Sequence, residues 1–138
     1  MKLTKQDIEL IELASQVALG NNDLYEEEVT VGCVLKAKSG KLYKGLNIYN
    51  SHAVCAEQVA IGQALACGER NFDTIVAVKL EGNGKYRVVS PCGLCRYMFE
   101  KLGIKPFKVI VEDPETGKAI KVKSNELLPF PYKRDSEE

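Results

Sequence analysis

Apolar residues near the start of the chain recur at the three- or four-residue spacing of a helix: Leu10, Leu13 and Val17. This spacing is typical of a helix with one buried face. Thr4 is followed three residues later by Asp7, which resembles a capping box, and Gly20 is a natural helix end. The pattern therefore predicts an amphipathic helix between Thr4 and Gly20.

Two β-branched stretches come next, VTVGCVLKAK at residues 29–38 and KLYKGLNI at residues 41–48. The loop NNDLYEEE leads into the first of them. Ser39 and Gly40 stand between the two stretches, and small turn-forming residues at such a place favour a hairpin. We expect an antiparallel pair of strands here.

The remainder of the chain alternates between helical and extended patterns. VCAEQVAIGQALAC, at residues 54–67, is rich in helix formers and apolar around most of its circumference, which predicts a buried helix. CGLCRYMFEKLG predicts a short helix, and DTIVAVKL, YRVVS, FKVIVED and KAIKVK predict extended segments. Strands separated by helices predict an α/β fold, a three-layer α-β-α sandwich with a mixed, about five-stranded sheet.

Length and charge restrict the possible functions. The 138 residues predict one domain over residues 1–138, with a tail that frays from about residue 133. The 19 basic and 19 acidic residues give a net charge of +0, which argues against a nucleic-acid or polyphosphate partner, since these require a basic stripe. No apolar run reaches the roughly 20 residues of a membrane helix, and the first ten residues lack an apolar leader. We therefore expect a cytoplasmic protein without a membrane partner.

The chain has five cysteines, an odd number, and the expected compartment keeps thiols reduced. The cysteines therefore indicate metal ligands, reactive groups or core residues rather than a disulfide framework. Cys92 and Cys95 open one predicted helix, and Cys55 lies at the predicted start of another. Helix N-termini stabilise thiolates. Three thiolates around Zn²⁺ leave the fourth position to water, which is the mark of a catalytic site. Arg96, next to Cys95, is placed to donate hydrogen bonds to sulfur.

Glu57, two residues after Cys55, is the candidate proton carrier for that water. A regular helix does not set residues two apart on one face. The arrangement therefore requires Cys55 at the first, irregular position of its helix and Glu57 in the first turn.

Other interpretations of the same residues stay open at this point. His52, the only histidine, could join the three cysteines in a closed structural zinc site. Cys92-x-x-Cys95 after a strand also fits a thiol oxidoreductase. Free cysteines often pack in a core, and we assign Cys33 and Cys67 to that class.

Two motifs together carry a family resemblance: Cys55-Ala56-Glu57, and PCGLCR from Pro91 to Arg96. With Val31-Gly32, GLN at residues 45–47 and ELLP at residues 126–129, they resemble the zinc-dependent cytidine deaminase superfamily. This resemblance favours three cysteines and a water over a fourth ligand from His52, because family members of this type leave the fourth position to water.

The resemblance implies one zinc ion per chain, held by Cys55, Cys92 and Cys95, which activates water to attack C4 of a cytosine ring. Glu57 would carry protons from the water to N3 and to the departing amine, which leaves as ammonia. The backbone N–H of Cys55 or Ala56 would stabilise the metal-bound oxygen, as helix N-termini do for anions. The implied partner is a small cytosine nucleoside or analogue.

Departures from the family pattern concern the substrate. Nucleoside-specific members show N-x-E, whose glutamate grips the ribose hydroxyls; here Asn47 fits, but Tyr49 replaces the glutamate. The N-x-Y pattern resembles the blasticidin-S deaminase branch, whose substrate lacks ordinary ribose hydroxyls. Cytidine-type and blasticidin-type substrates both stay open, since one substitution alters affinity by only a few kcal/mol. His52 becomes a possible substrate contact near the mouth of the site.

The aromatic residues Phe130 and Tyr132 follow Pro129 near the end of the chain. In the resembling enzymes, C-terminal aromatics reach an active site, often that of a neighbouring subunit in a homotetramer. The resemblance therefore implies a homotetramer and a possible substrate contact for both residues. Packing against the domain's own core is an equal alternative.

Overall fold

The computed structural model of the chain describes residues 1–50 and 52–133. Helix α1 spans Lys5–Leu19 and begins with the predicted capping box. The backbone N–H of Thr4 donates to Asp7 Oδ2 at 2.8 Å, and the N–H of Asp7 donates to Thr4 Oγ1 at 3.2 Å. The residues expected to fray beyond Lys133 lie outside the described part of the chain.

The predicted helices and strands are present in the predicted order. Two further helices are α2, Ala56–Ala66, and α3, Gly93–Lys101. The strands are β1, Val31–Ala37; β2, Leu42–Leu46; β3, Phe72–Gly82; β4, Lys85–Val89; β5, Lys108–Glu112; and β6, Ala119–Lys123. Short 3₁₀ helices cover Glu27–Val29 and Ser124–Glu126.

The strands form one mixed sheet of six strands, in the order β2-β1-β3-β5-β6, with β4 paired to β3. Only β3 and β5 run parallel among the paired strands described. The sheet has one strand more than the expected five or so because β3 is 11 residues long. One edge of β3 pairs with β5 through residues 74–76 and with β4 through residues 77–82, so two short strands share that edge.

Alternating strand residues separate two cores, one on each face of the sheet. Cys33, Leu35 and Ile75 pack on the face that carries α2 and α3. Val34 and Val76 pack on the opposite face, which carries α1. Helices on both faces of a mixed sheet confirm the predicted three-layer α-β-α class. Across the described ranges, no helix combines the length and apolar character needed to cross a membrane.

A buried ion pair joins α1 to the edge of the sheet. Lys121 Nζ lies 2.6 Å from Asp7 Oδ2, and both side chains are less than a tenth exposed, at 7% and 6%. Burial alone raises the pKa of Asp7, but the hydrogen bonds from Lys121 and Thr4 outweigh it and lower that pKa below its ordinary value. The pair connects residues 114 positions apart, and nothing in the local sequence pattern signals it.

Candidate metal centre and active site

The three cysteines of the two motifs meet at one end of the sheet. Cys55 is the N-cap of α2, Cys92 is the N-cap of α3, and Cys95 lies in the first turn of α3. The Sγ of Cys92 lies 3.5 Å from that of Cys55 and 3.8 Å from that of Cys95. All three sulfur atoms lie within 4.8 Å of one another.

The donor set and its spacing fit a zinc ion. Zinc in proteins is typically bound by thiolates in a tetrahedron with Zn–S bonds of about 2.3 Å, which places sulfurs about 3.8 Å apart. The two Sγ–Sγ distances above are close to this value. His52 does not belong to the group, and its side chain is exposed. Among the described residues, the closed three-cysteine, one-histidine site is therefore not formed.

The three thiols differ electrostatically. Burial raises the pKa of Cys92, but hydrogen bonds from the backbone N–H groups of Cys95 and Leu94 and from the neighbouring thiols outweigh it, so the pKa is lowered. Burial and the proximity of Cys92 and Glu57 raise the pKa of Cys55 to about 11. Burial and the charge of Glu57 raise the pKa of Cys95 as well. Holding all three as thiolates therefore requires a cation between them.

Glu57 lies where the spacing argument requires it. Cys55 has an extended backbone with φ −70° and ψ 148°, and Glu57 follows in the first turn of α2. Its carboxyl is buried, with 7% of the residue exposed. Burial raises the pKa of Glu57, while its own backbone N–H acts in the opposite direction. An irregular N-cap thus allows residues two apart to face the same pocket.

A pocket of about 220 Å³ adjoins the thiols and the Glu57 carboxyl. Its walls are largely apolar and come from both sides of the thiol group: Val31, Ala53, Val54, Ala56 and Val89. Asn47 and Ser90 supply polar groups. The pocket is an apolar slot with few polar groups, which is the usual form of a small-molecule site.

The side chain of Asn47 is held by the backbone of the pocket wall. Its Nδ2 donates to the carbonyl of Val29 at 2.5 Å, and its Oδ1 accepts from the N–H of Val31 at 2.9 Å. One amide hydrogen and one oxygen lone pair are left over for any other partner. Asn47 therefore fixes the start of β1 against the end of β2 as well as lining the pocket.

The other predicted contact residues lie at the surface. The ring of Tyr49 is 58% exposed and packs edge-on against Tyr25, with ring centroids 6.0 Å apart. Phe130 and Tyr132 are also exposed, Phe130 completely so. Neither aromatic seals the domain core, so the alternative prediction that they pack against the core is wrong for both. The structure does not bring these residues into the pocket of their own chain.

Arg96 has other partners than the sequence predicts. Its Nε donates to the carbonyl of Pro91 at 2.7 Å, and its Nη1 donates to the carbonyl of Leu127 at 3.3 Å. The prediction of hydrogen bonds from Arg96 to sulfur is therefore not met among the described contacts. The physical reason is that two carbonyls lie within reach of the guanidinium, and Arg96 instead joins the Cys92 loop to the C-terminal segment.

The two remaining cysteines behave differently from each other. Cys33 is fully buried in the core beneath α2, as expected. Cys67 was predicted to pack in the core and is instead exposed. It forms the C-cap of α2, where the helix ends and the chain turns outward at Gly68, whose φ is +89°.

Ser90 lines the pocket but was not predicted from the sequence as a site residue. Its Oγ accepts from the N–H of Glu112 at 3.2 Å and lies 3.4 Å from the carbonyl of the same residue. These contacts join the end of β4 to the end of β5, immediately before Pro91 and Cys92. The only signal in the sequence is a serine between a strand and the first ligand of the CxxC motif.

Gly45 determines how closely α2 approaches the sheet. A Cβ at this position would lie 2.2 Å from the carbonyl oxygen of Ala56 and 2.7 Å from the backbone N of Ala60. The first turn of α2, which carries Glu57, therefore rests directly on β2. Any side chain at position 45 forces the helix outward.

We expect Gly45→Ala to lower the free energy of unfolding by about 1–3 kcal/mol, because overpacking displaces helix backbone. Zinc affinity should fall as well, since Cys55 moves with the helix. Gly62→Ala is the matched control, because its Cβ meets nothing within 4 Å in the interior of α2; it should stabilise by about 0.5–1 kcal/mol. Denaturant unfolding measures both, and equal stability of the two variants would contradict the close approach.

The chain matches the family described as the cytidine and deoxycytidylate deaminase zinc-binding region over residues 4–111. The fold, the thiol group and this match define its class: the chain belongs to this deaminase family and is a hydrolytic deaminase. Blasticidin-S deaminase of Bacillus cereus is 36% identical over 141 residues, which cover 96% of each chain.

Two further similarities support the class. A probable cytidine deaminase of Dictyostelium discoideum is 31% identical over 102 residues, covering 72% of this chain and 65% of that protein. The crystal structure of cytidine deaminase from Burkholderia pseudomallei has a TM-score of 0.70 at 27% identity, covering 94% of this chain and 100% of that chain.

Proposed function

We propose that this enzyme uses zinc to hydrolyse the 4-amino group of a free cytosine nucleoside or a close analogue, such as cytidine, deoxycytidine or blasticidin S. Water adds oxygen at C4, the amine leaves as ammonia, and the ring becomes that of uracil. The observation that carries this proposal is the convergence of three thiols, within 4.8 Å of one another, beside the buried carboxyl of Glu57.

Cys55, Cys92 and Cys95 are the proposed ligands of one zinc ion per chain. Zinc at such a site supplies a Lewis acid that activates water near neutral pH. Backbone N–H groups at the N-terminus of α3 favour the thiolate of Cys92, whereas the thiolates of Cys55 and Cys95 need the bound cation. Reduced thiols are needed throughout, which suits a reducing compartment such as the cytoplasm.

Glu57 is the proposed proton carrier. Its carboxylate takes a proton from the attacking water, delivers it to N3 of the ring and then assists protonation of the departing amine. Burial of Glu57 supports this role, because a carboxyl shielded from bulk water keeps its proton within the pocket. The N–H of Ala56 is the proposed donor to a ligand oxygen, which is supported by the position of Ala56 at the start of α2 and in the pocket wall.

The proposed substrate contacts are Asn47, which lines the pocket, and Tyr49 and His52, whose exposed side chains would meet a substrate only at the mouth. Tyr49 supplies one uncharged hydroxyl where nucleoside-specific relatives of this pattern have a carboxylate. The side-chain amide of Asn47 already uses one N–H donor on Val29 and one oxygen lone pair on Val31. Weak recognition of ribose hydroxyls supports an analogue such as blasticidin S among the substrates, as does the similarity to a blasticidin-S deaminase over 96% of the chain.

The decisive test combines metal analysis with a substrate panel. Purified protein is expected to contain about one zinc per chain and to release ammonia from at least one of cytidine, deoxycytidine and blasticidin S, with loss of cytosine absorbance. Cys92→Ala should lose the zinc and the activity. Cys67→Ala, which removes an exposed thiol outside the group, should keep both.

Three outcomes would point elsewhere. Zinc-loaded protein that releases no ammonia from any cytosine compound would favour a non-catalytic zinc domain. Protein that holds no metal and forms a Cys92–Cys95 disulfide would favour a thiol oxidoreductase. Retention of zinc by Cys92→Ala would remove Cys92 from the ligand set.

We further propose a homotetramer in which Phe130 and Tyr132 contact a neighbouring subunit near its pocket. Phe130 is 101% exposed, has φ +52° and stands between two prolines, so its ring is held away from its own chain. A fully exposed aromatic ring on a stiff segment suits contact with a second copy. Light scattering should give four times 15.3 kDa for the wild type and a smaller mass for Phe130→Ser; a monomeric wild type would contradict the assembly.

A further inference from the structure

Lysines are concentrated at the end of the sheet opposite the thiols. Two adjoining cavities, of about 280 Å³ and 400 Å³, share Lys38, Asp73 and Lys108 in their walls. Together the cavities are lined by six lysines: Lys36, Lys38, Lys105, Lys108, Lys121 and Lys123. Among residues 1–50 and 52–133, only two acidic residues, Asp7 and Asp73, line them. A chain with net charge +0 thus carries a local excess of four positive charges around two concave sites.

The strand register explains why the lysines converge. Thr74 on β3 lies directly opposite Lys36 on β1 and directly opposite Lys108 on β5. Residues opposite one another point to the same face, so the two lysines flank Thr74 in one row, about 10 Å apart. Lys123 on β6 continues the row beside Lys108. The first turn of α1 closes one side of the smaller cavity, next to this row of lysines.

Several of these ammonium groups have unused hydrogen-bond donors. Within residues 1–50 and 52–133, the side chains of Lys36 and Lys108 form no hydrogen bond or ion pair, although both are half-buried. Lys121 is 6% exposed and donates only to Asp7, so two of its three N–H donors lack a protein partner. Lys38 forms a loose 3.6 Å pair with Asp73. These ammonium groups therefore have donors available for charge-assisted hydrogen bonds to an anion.

We propose that these cavities form a binding site for an organic diphosphate or triphosphate. A phosphate chain of three or four negative charges matches the local excess of four positive charges, whereas a single carboxylate leaves most of it uncompensated. The lysines line concave cavities, which suits a small ligand better than an extended polymer. Pro106 and Phe107 in the larger cavity provide an apolar wall for the organic group.

The site lies far from the thiol group. Lys36 and Val31 are five residues apart on β1, which is about 17 Å along the strand, and Val31 lines the catalytic pocket. A ligand at the lysine end therefore does not compete with a cytosine compound. The neutral total charge, which argued against a polyphosphate partner, conceals this local concentration. The proposal is independent of the proposed deaminase substrate.

Titration calorimetry on the zinc-loaded wild type at low salt tests the site, with inorganic triphosphate, ATP and acetate as probes. Triphosphate should bind with about one site per chain, and ATP at least as tightly. Acetate should bind at least about tenfold more weakly. Saturating cytidine should leave triphosphate binding unchanged, and Glu57→Gln should bind triphosphate as the wild type does.

The variant Lys36→Ala with Lys108→Ala should weaken triphosphate binding at least about tenfold, as expected for the loss of charge-assisted hydrogen bonds. Lys85→Ala with Lys118→Ala removes the same charge from two exposed positions outside the cavities and should change binding less than about twofold. Lys36→Gln with Lys108→Gln keeps the packing of the stems and should weaken binding like the alanine pair. Absence of saturable triphosphate binding, equal weakening in the control pair, tenfold weaker ATP than triphosphate, or displacement by cytidine would overturn the proposal.

Discussion

Glu57→Gln is expected to abolish ammonia release while leaving the fold and the zinc content unchanged. Glutamine has nearly the size and shape of glutamate, so the buried first turn of α2 should tolerate it. It cannot accept a proton from water or deliver one to the ring. General acid–base catalysis contributes about 10²–10⁴-fold, and we expect kcat to fall by at least that factor.

The measurements for Glu57→Gln are ammonia release, zinc per chain and the midpoint of thermal unfolding. Glu9→Gln, on an exposed position of α1, is the matched control and should keep full activity. Glu57→Asp keeps the carboxyl but withdraws it by one methylene, and its activity should fall between those of the wild type and the glutamine variant. Turnover of Glu57→Gln within tenfold of the wild type would remove Glu57 from the proposed role.

Asp7→Asn is expected to cause the largest loss of stability, about 3 kcal/mol at pH 7. The substitution leaves the ammonium of Lys121 buried without its counter-charge, and breaking a buried pair from one side typically costs about 3–5 kcal/mol. Asparagine can still accept from the N–H of Thr4, so the capping box is preserved. Denaturant unfolding of the variant beside Asp23→Asn, an exposed control, isolates the ion pair.

The pH dependence of the free energy of unfolding tests whether the charge of Asp7 causes this loss. The pKa of Asp7 is lowered in the folded state from its ordinary value of 3.8. The ion pair therefore contributes fully above that value, and its contribution is lost as the pH falls through the lower, folded-state pKa. The stability difference between the wild type and Asp7→Asn should be largest near neutral pH and should shrink below about pH 4. A difference that does not change with pH would show that the charge of Asp7 is unimportant.

Local patterns predict the elements well because their causes are local. The capping box of Thr4 and Asp7, the hairpin around Ser39-Gly40 and the end of α2 near Gly68 all depend on residues within a few positions of one another. The sixth strand differs because pairing of β4 depends on the length of β3. The pattern indicated β4 as the extended segment YRVVS, but that β4 and β5 share one edge of β3 depends on contacts between distant segments.

The same distinction between local and long-range causes applies to the candidate site. The motifs indicated which thiols meet and that Cys55 must be an irregular N-cap, because metal chemistry restricts both. Partners that depend on tertiary contacts could not be predicted in this way. Arg96 reaches Leu127, 31 positions away, and Asn47 is held by Val29 and Val31, on a neighbouring strand and its approach. The prediction for Cys67 was wrong although it was based on a local pattern, because the apolar segment of α2 ends at a residue that is exposed to solvent.

The close contact between α2 and Gly45 limits how the pocket can be enlarged. Ala56 lines the pocket, and its carbonyl oxygen would lie 2.2 Å from a Cβ on Gly45 of β2, so this part of α2 has no room to recede towards the sheet. The pocket therefore cannot be deepened on the side of β2. Enlarging the pocket must begin instead at Val54 or Val89, which line it and whose side chains can be shortened.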